Sequence, residues 1–348
     1  MSKDDSWALP YWNWTKAAER SLPVMFRDQT SELFTSFRNP AMNDGTGSLP
    51  ESDVDYSNAF NEGNFTVASS SIEGTPHGAV HVDVGGAEGW MGSVPTAAQD
   101  PIFYLHHSNM DRLWNLWLAQ GGGRSDPVND SDWKSRQFVF FDENRKEVAM
   151  TGCEVLRAAK QLDYTYEGEP TQVEQDCRQQ IFTILVALKV PFFHLPDPPE
   201  LNSERVSFSA EITQVSDRLA SISENKTEKL FLDLGRVEAA REPGVVWEVY
   251  VGLPEHAAPD PKGVFFVGNV VIFGAGIHTD AHHDYHPARF SFDATRAIAE
   301  AMKRKEKELR ITFVPHGVLI NGKPSRPKAA TTVHIGSADL MIQTEKKH

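Results

Sequence analysis

Histidine is absent from the first 76 residues of this 348-residue chain, cysteine occurs only twice, and basic residues are well outnumbered by acidic ones. Each shortage excludes something. Cys153 and Cys177 allow at most one bridge, so the chain is neither a disulfide scaffold nor a cysteine-ligated zinc protein. The formal charge of −14, from 34 basic and 48 acidic side chains, argues against nucleic acid or an anionic membrane surface as a partner. Long apolar runs are lacking as well. The longest, Ile181 to Leu188, has eight residues and includes Thr183, far short of the roughly 20 that cross a bilayer. The opening residues mix both charges with scattered tryptophans, unlike a secretory signal. Compartment and oligomeric state stay open.

What is present is ordinary globular composition, 40% hydrophobic and 24% charged, in a length that suits about two domains. Seven of the eight tryptophans lie between Trp7 and Trp133, and only Trp247 follows, which separates two differently built halves. In the later half, Val206-Phe208-Ala210-Ile212, Val245-Trp247-Val249-Val251, Val270-Ile272, Phe290-Phe292, Ile311-Phe313 and Val333-Ile335 place apolar residues at every second position. Period two predicts half-buried strands, and the Gly and Pro clusters between them predict an antiparallel sandwich. One helix interrupts them, expected from an Asp293 N-cap to about Leu309, with the charge run Lys303 to Glu308 on its solvated face. Residues 167–203, with a possible helix over 172–188 and then Pro191, Pro196, Pro198 and Pro199, read as a linker.

Two histidine clusters carry the chemistry. His77 and His81 are four apart, so on a helix both imidazoles project from one face, as two ligands of one ion require; Pro76 suits a first helical turn. Glu73 lies one further turn back if the helix passes Pro76. The second cluster, Asp100-Pro101-Ile102-Phe103-Tyr104-Leu105-His106-His107-Ser108-Asn109-Met110-Asp111-Arg112-Leu113-Trp114, predicts a helix capped by Asp100 and ended by Gly121-Gly122-Gly123. Helical spacing does not choose between His106 and His107. Buried imidazoles need partners, a metal ion or a carboxylate such as Asp111. Three imidazoles without thiolate suit copper, zinc, iron or nickel. His278, His282, His283 and His286 form a further cluster, read as a loop between strands rather than as a second metal site.

These segments resemble the tyrosinase, catechol oxidase and molluscan haemocyanin family, whose second copper site carries an HxxxH helix followed by a DPxFxxHHxxxDRxW helix. Leu9-Pro10-Tyr11-Trp12-Asn13-Trp14 is similar to the segment following the family's first copper site; Phe140-Phe141-Asp142-Glu143-Asn144 and Tyr164-Thr165-Tyr166 look like the plant-type close of the catalytic domain. The resemblance implies a multidomain fold: a mainly α-helical type-3 copper oxidase domain, N-terminally incomplete, over residues 1–166, the linker 167–203, and an antiparallel β-sandwich over 204–345. It implies His77, His81 and His107 as ligands of one copper ion, with His106 and Asp111 as structural neighbours. It also implies Glu73 as the holder of a water that accepts the phenol proton, Val94 as a gate over the copper, and Gly78 where several tyrosinases have a water-orienting asparagine, a difference that speaks against monophenol hydroxylation.

The implied activity is oxidation of o-diphenols, with monophenols as a further candidate, to o-quinones by dioxygen, which in the intact family site needs two coppers. The first site takes three histidines from before the PYWNW segment, and none stands there. Truncation at an internal methionine is the leading reading, beside a separate chain supplying the other half and true loss of activity. The competing functions are a haemocyanin-like oxygen carrier, a mononuclear three-histidine zinc hydrolase and an inactive remnant.

Overall fold

The computed structural model describes residues 8, 10–142, 144–156, 164–166, 168, 189–224, 227–274 and 287–344. The expected helix over 172–188 and the cluster His278 to His286 lie outside the described residues. By contact the chain divides into two compact units. One takes in Met1–Trp12, Phe60–Ser69 and Leu105–Val186, the other Asn13–Ala59, Ser70–Tyr104 and Ala187–His348. No helix among the described residues is long and apolar enough to cross a membrane.

Among the described residues of the second unit, ten strands form two antiparallel sheets. β1 (Gly47–Ser48), β5 (Val206–Glu211), β7 (Val246–Val251), β8 (Phe266–Val271), β10 (Glu308–Ile320) and β11 (Lys323–Ser325) make one, with β10 pairing β1, β5, β7 and β11. The other runs β4–β12–β6–β9, from β4 (Lys189–His194), β6 (Glu228–Ala239), β9 (Ala288–Asp293) and β12 (Val333–Thr344). Alternation decides what is buried. Leu230, Leu232 and Leu234 of β6, Trp247, Val249 and Val251 of β7, Ile311 and Phe313 of β10 and Ala338 and Leu340 of β12 belong to one apolar cluster fed by both sheets. At about 25 cal/mol per Å² of apolar surface removed from water, this cluster is the main source of stability in the unit.

Two expectations change. The helix after Asp293 spans Thr295–Lys303 and stops there, because Arg304 and Lys305 turn out of it, Lys305 with φ 56°; Leu309 belongs to β10, opposite Ala210. The cap position falls on Ala294 rather than on Asp293, whose side chain still accepts from Thr295 N–H at 3.0 Å. Within the expected linker, Lys189–His194 is a strand, and its Pro191 is tolerated because β4 is an edge.

The first unit holds the two-stranded sheet β2 (Gln137–Phe141) and β3 (Glu147–Thr151), and an apolar cluster of Ala68, Trp117 and Leu118 with Phe60 and Trp114 against it. Trp117 Nε1–H donates to the Glu62 carbonyl at 2.8 Å and Trp114 Nε1–H to Asp126 at 2.9 Å, which gives the buried and the half-buried indole each a partner.

Candidate metal centre

The HxxxH segment is helical with a break. Helix Phe65–Ile72 runs into a wider turn over Glu73–Gly78, where Thr75 is extended (φ −136°, ψ 120°), and continues as helix Ala79–Gly85. A residue before proline is driven out of the helical region, so Pro76 restarts the helix rather than continuing it. All seven residues of Ala79–Gly85 are buried. Ala79 and Val82 pack with Val246 and Val271 and with Phe273.

The second helix spans Ile102–Ala119. Asp100 caps it as expected, Oδ1 accepting from Ile102 N–H at 3.1 Å, and Gly121 leaves it with φ 64°. Asp100 is also held by Arg38, whose Nε and Nη2 each donate at 2.7 Å, both side chains being fully buried. A bidentate pair with further donors to the Phe26 and Leu33 carbonyls satisfies the guanidinium in the interior. Further along, Asp111 accepts from Tyr164 at 3.0 Å and Tyr166 at 2.6 Å, while Arg112 lies over the Tyr11 ring, 5.3 Å from its centre. Burial, then the Asp111 charge, push the Tyr166 hydroxyl far above its usual range, so it stays a donor.

His77, His81, His106 and His107 form one group: each offers a ring nitrogen, and these atoms all lie within 4.8 Å of one another. His81 and His106 are fully buried, the other two half-buried. The His77 and His81 ring centres are 4.7 Å apart and those of His106 and His107 5.3 Å. His81 Nδ1–H donates to the Met91 carbonyl at 2.8 Å, which turns Nε2 toward any ion. Glu73 Oε2 lies 3.3 Å from His77 Nδ1, with the carboxylate largely exposed. Phe273 stacks on His81, ring centres 4.1 Å apart, and meets His77 edge-on at 5.7 Å. A donor set of imidazoles alone fits copper or zinc and does not suit calcium or magnesium.

Val94 is half exposed and lies against Gly274, next to Phe273. Gly78 has little free space: a Cβ there would stand 3.2 Å from Val271 Cγ1. Met91 and Phe273 escape sequence reasoning, since one acts through its carbonyl and the other arrives from almost 200 residues away; the glycines that end the HxxxH helix are the signal that a tight turn follows.

A buried polar network lies in the same unit as His81. His316 Nε2–H donates to both oxygens of Asp53 at 2.7 and 2.8 Å, and Asn269 Nδ2–H donates to Asp53 at 3.1 Å. Burial alone would lower the His316 pKa, but the charge of Asp53, its hydrogen bond and Glu248 raise it overall. Burial and then the Asp53 charge push the Asp83 carboxyl well above the usual carboxylate range.

Family models match three stretches of the chain: the common central domain of tyrosinase over residues 29–120, the polyphenol oxidase middle domain over 127–175, and a domain of unknown function over 200–326. A chloroplastic polyphenol oxidase, latent form, of Prunus armeniaca is 32% identical over 201 residues, 47% of this chain and 34% of the relative. A chloroplastic polyphenol oxidase of Malus domestica is 26% identical over 371 aligned positions, 90% of this chain and 60% of the relative. A tyrosinase of Hahella sp. (strain CCB-MM4) is 35% identical over 196 residues, 48% and 41%. The chain thus spans about a third to three fifths of the length of these relatives. Two solved structures share the fold: a recombinant latent aurone synthase (polyphenol oxidase), TM-score 0.61 at 19% identity over 98% of this chain and 72% of that one, and latent apple tyrosinase, 0.60 at 21% over 97% and 77%.

Proposed function

We propose that the chain belongs to the tyrosinase and polyphenol oxidase family, whose models match residues 29–120 and 127–175, and that it carries one copper site of the pair with which an intact protein oxidises o-diphenols to o-quinones with dioxygen. The four-imidazole group carries the reading. His77, His81 and His107 hold the ion, His106 is the neighbouring structural histidine, and Asp111 ties the second helix to its tyrosines. Copper, when bound, supplies the redox chemistry by which a phenol gives electrons to dioxygen. The chain's own residues do the rest. Phe273 offers an aromatic wall beside His81, half-exposed Val94 leaves the approach open, and Glu73, one turn from His77, accepts the phenol proton. Gly78 supplies no side chain to orient a water, which speaks against monophenol hydroxylation. A helical copper domain over residues 1–166, the connection over 167–203 and the β-sandwich over 204–345 belong to the same reading, and the three histidines of the other copper come from outside residues 1–76.

The test is metal analysis of the full chain expressed in copper-supplemented medium, with a catechol assay. One copper per chain is expected, lost in His81→Ala, with quinone produced only when a polypeptide bearing the other three histidines is supplied. Stoichiometric zinc with no copper uptake overturns the reading. Oxygen binding by the two-site form with little quinone production points to a carrier instead.

A further inference from the structure

The helix Ala79–Gly85 leaves through Gly86-Ala87-Glu88-Gly89-Trp90-Met91-Gly92 and folds back on its own end. Gly89 N–H donates to the Gly85 carbonyl at 2.9 Å and Gly92 N–H to the Gly89 carbonyl at 3.1 Å, closing a short 3-10 turn over Trp90–Gly92. Gly86 takes φ 63°, where a side chain is disfavoured. Gly85 and Gly92 need something else, room. A Cβ on Gly85 would stand 1.9 Å from Gly92 N, and one on Gly92 would stand 1.9 Å from the Gly86 carbonyl oxygen. Both obstacles are backbone atoms, so neither can rotate aside.

The consequence of this close approach falls on a histidine. Met91, between the two contacts and fully buried, points its carbonyl at His81 Nδ1 across 2.8 Å. A carbonyl oxygen only accepts, so Nδ1 carries a proton, and in the neutral ring Nε2 keeps its lone pair. His81 is itself fully buried, so bulk water does not compete for the bond.

We propose that Gly85 and Gly92 are positioning residues for His81: their backbone contact seats the Met91 carbonyl on Nδ1, fixing the tautomer and the ring orientation in which Nε2 is the donor to the metal. A methyl group at either position separates the turn from the helix end and takes the carbonyl with it. The metal half of this inference rests on His81 being a copper ligand; the tautomer half stands without it.

The experiment uses the full chain, metal-free and then titrated with copper(II) chloride. Nitrogen NMR of the imidazoles in the metal-free wild type is expected to show His81 as the Nδ1–H tautomer; the Nε2–H form or a mixture overturns the proposal, whether or not copper binds. Gly92→Ala, folded by circular dichroism, is expected to lose the single tautomer and to bind copper(II) roughly tenfold to a hundredfold more weakly. Gly47→Ala is the control, its Cβ pressing to 2.8 Å from the Ala41 backbone at β1. It is expected to lower the melting temperature and to leave tautomer and affinity alone. Gly92→Ala with wild-type tautomer and affinity overturns the proposal, as does the same affinity loss in Gly47→Ala. If Gly92→Ala does not fold, the tautomer in the wild type decides. A wild type with the expected tautomer that takes up no copper upholds the tautomer half and sinks the copper reading instead.

Discussion

In the proposed reading Gly78 stands where several tyrosinases carry asparagine, and its surroundings are already filled. A Cβ there would stand 3.1 Å from the Glu73 carbonyl and 3.4 Å from Phe273 Cβ, besides its contact with Val271. Gly78→Asn is therefore expected to destabilise the fold by about 1–3 kcal/mol, as overpacked cores do, and Val271→Ala in the same chain to recover part of that in urea unfolding. For the adjacent histidines, His107→Ala is expected to abolish copper uptake and His106→Ala to retain it; the opposite result exchanges their roles. At Glu242 the prediction concerns pH. Burial pushes its carboxyl from 4.5 up to about 7, against a lowering hydrogen bond from Gly274 N–H. The folded chain keeps a proton there that the unfolded chain releases, so this contribution to stability is complete below about pH 4.5 and is lost as pH rises through 7. His316, also raised, acts in the same direction. The melting temperature is expected to fall from pH 5 to pH 8, and to fall less in Glu242→Gln. Residues whose role is their own side-chain chemistry, the histidine pairs and Asp100, are legible in the sequence. Met91 acts through a carbonyl and Phe273 through long-range packing, so neither leaves a local signal.

The helix Ile102–Ala119 shows how far an element can be read before its packing is known. Its cap and its terminating glycines are local features, and both behave as the sequence predicts. What stabilises the cap is not local: Arg38, 62 residues earlier, is aimed at Asp100 from the interior. Arg38→Ala leaves a buried carboxylate without its partner, and by the usual penalty for half of a buried pair it is expected to cost about 3–5 kcal/mol in denaturant unfolding. Strands divide the same way. β5, β7, β9 and β10 stand out by clean alternation, whereas β6 hides behind Phe231, an apolar residue on the off phase that is buried all the same. β4 hides behind Pro191, which forbids a central strand but not an edge. The helix end at Lys303 was not legible because Lys, Arg and Glu suit a solvated helix as well as a turn, and pairing of Leu309 with Ala210 decides it.

At the scale of the molecule, the four imidazoles come from two helical segments 25 residues and more apart in sequence, converging only when the chain is folded. An ion held by such a group binds the native state and has no comparable site in the unfolded chain, so its binding free energy adds to folding stability. The gain follows mass action: at free copper a hundredfold above its dissociation constant it amounts to about 2.7 kcal/mol, and each further tenfold adds about 1.4 kcal/mol. The melting temperature of the full chain is therefore expected to rise with copper concentration, to return on adding a chelator, and to be indifferent to copper in His81→Ala. The ligands must be unprotonated to bind, so the copper-dependent part of the shift is expected to shrink below about pH 6. That slope is opposite to the one from Glu242 and His316. Scanning calorimetry at pH 5.5 and 7.5, with and without copper, separates the two: the metal-free chain is more stable at the lower pH, and the copper-induced increment is larger at the higher. An increment that ignores pH, or that survives in His81→Ala, places the ion elsewhere than on this histidine group.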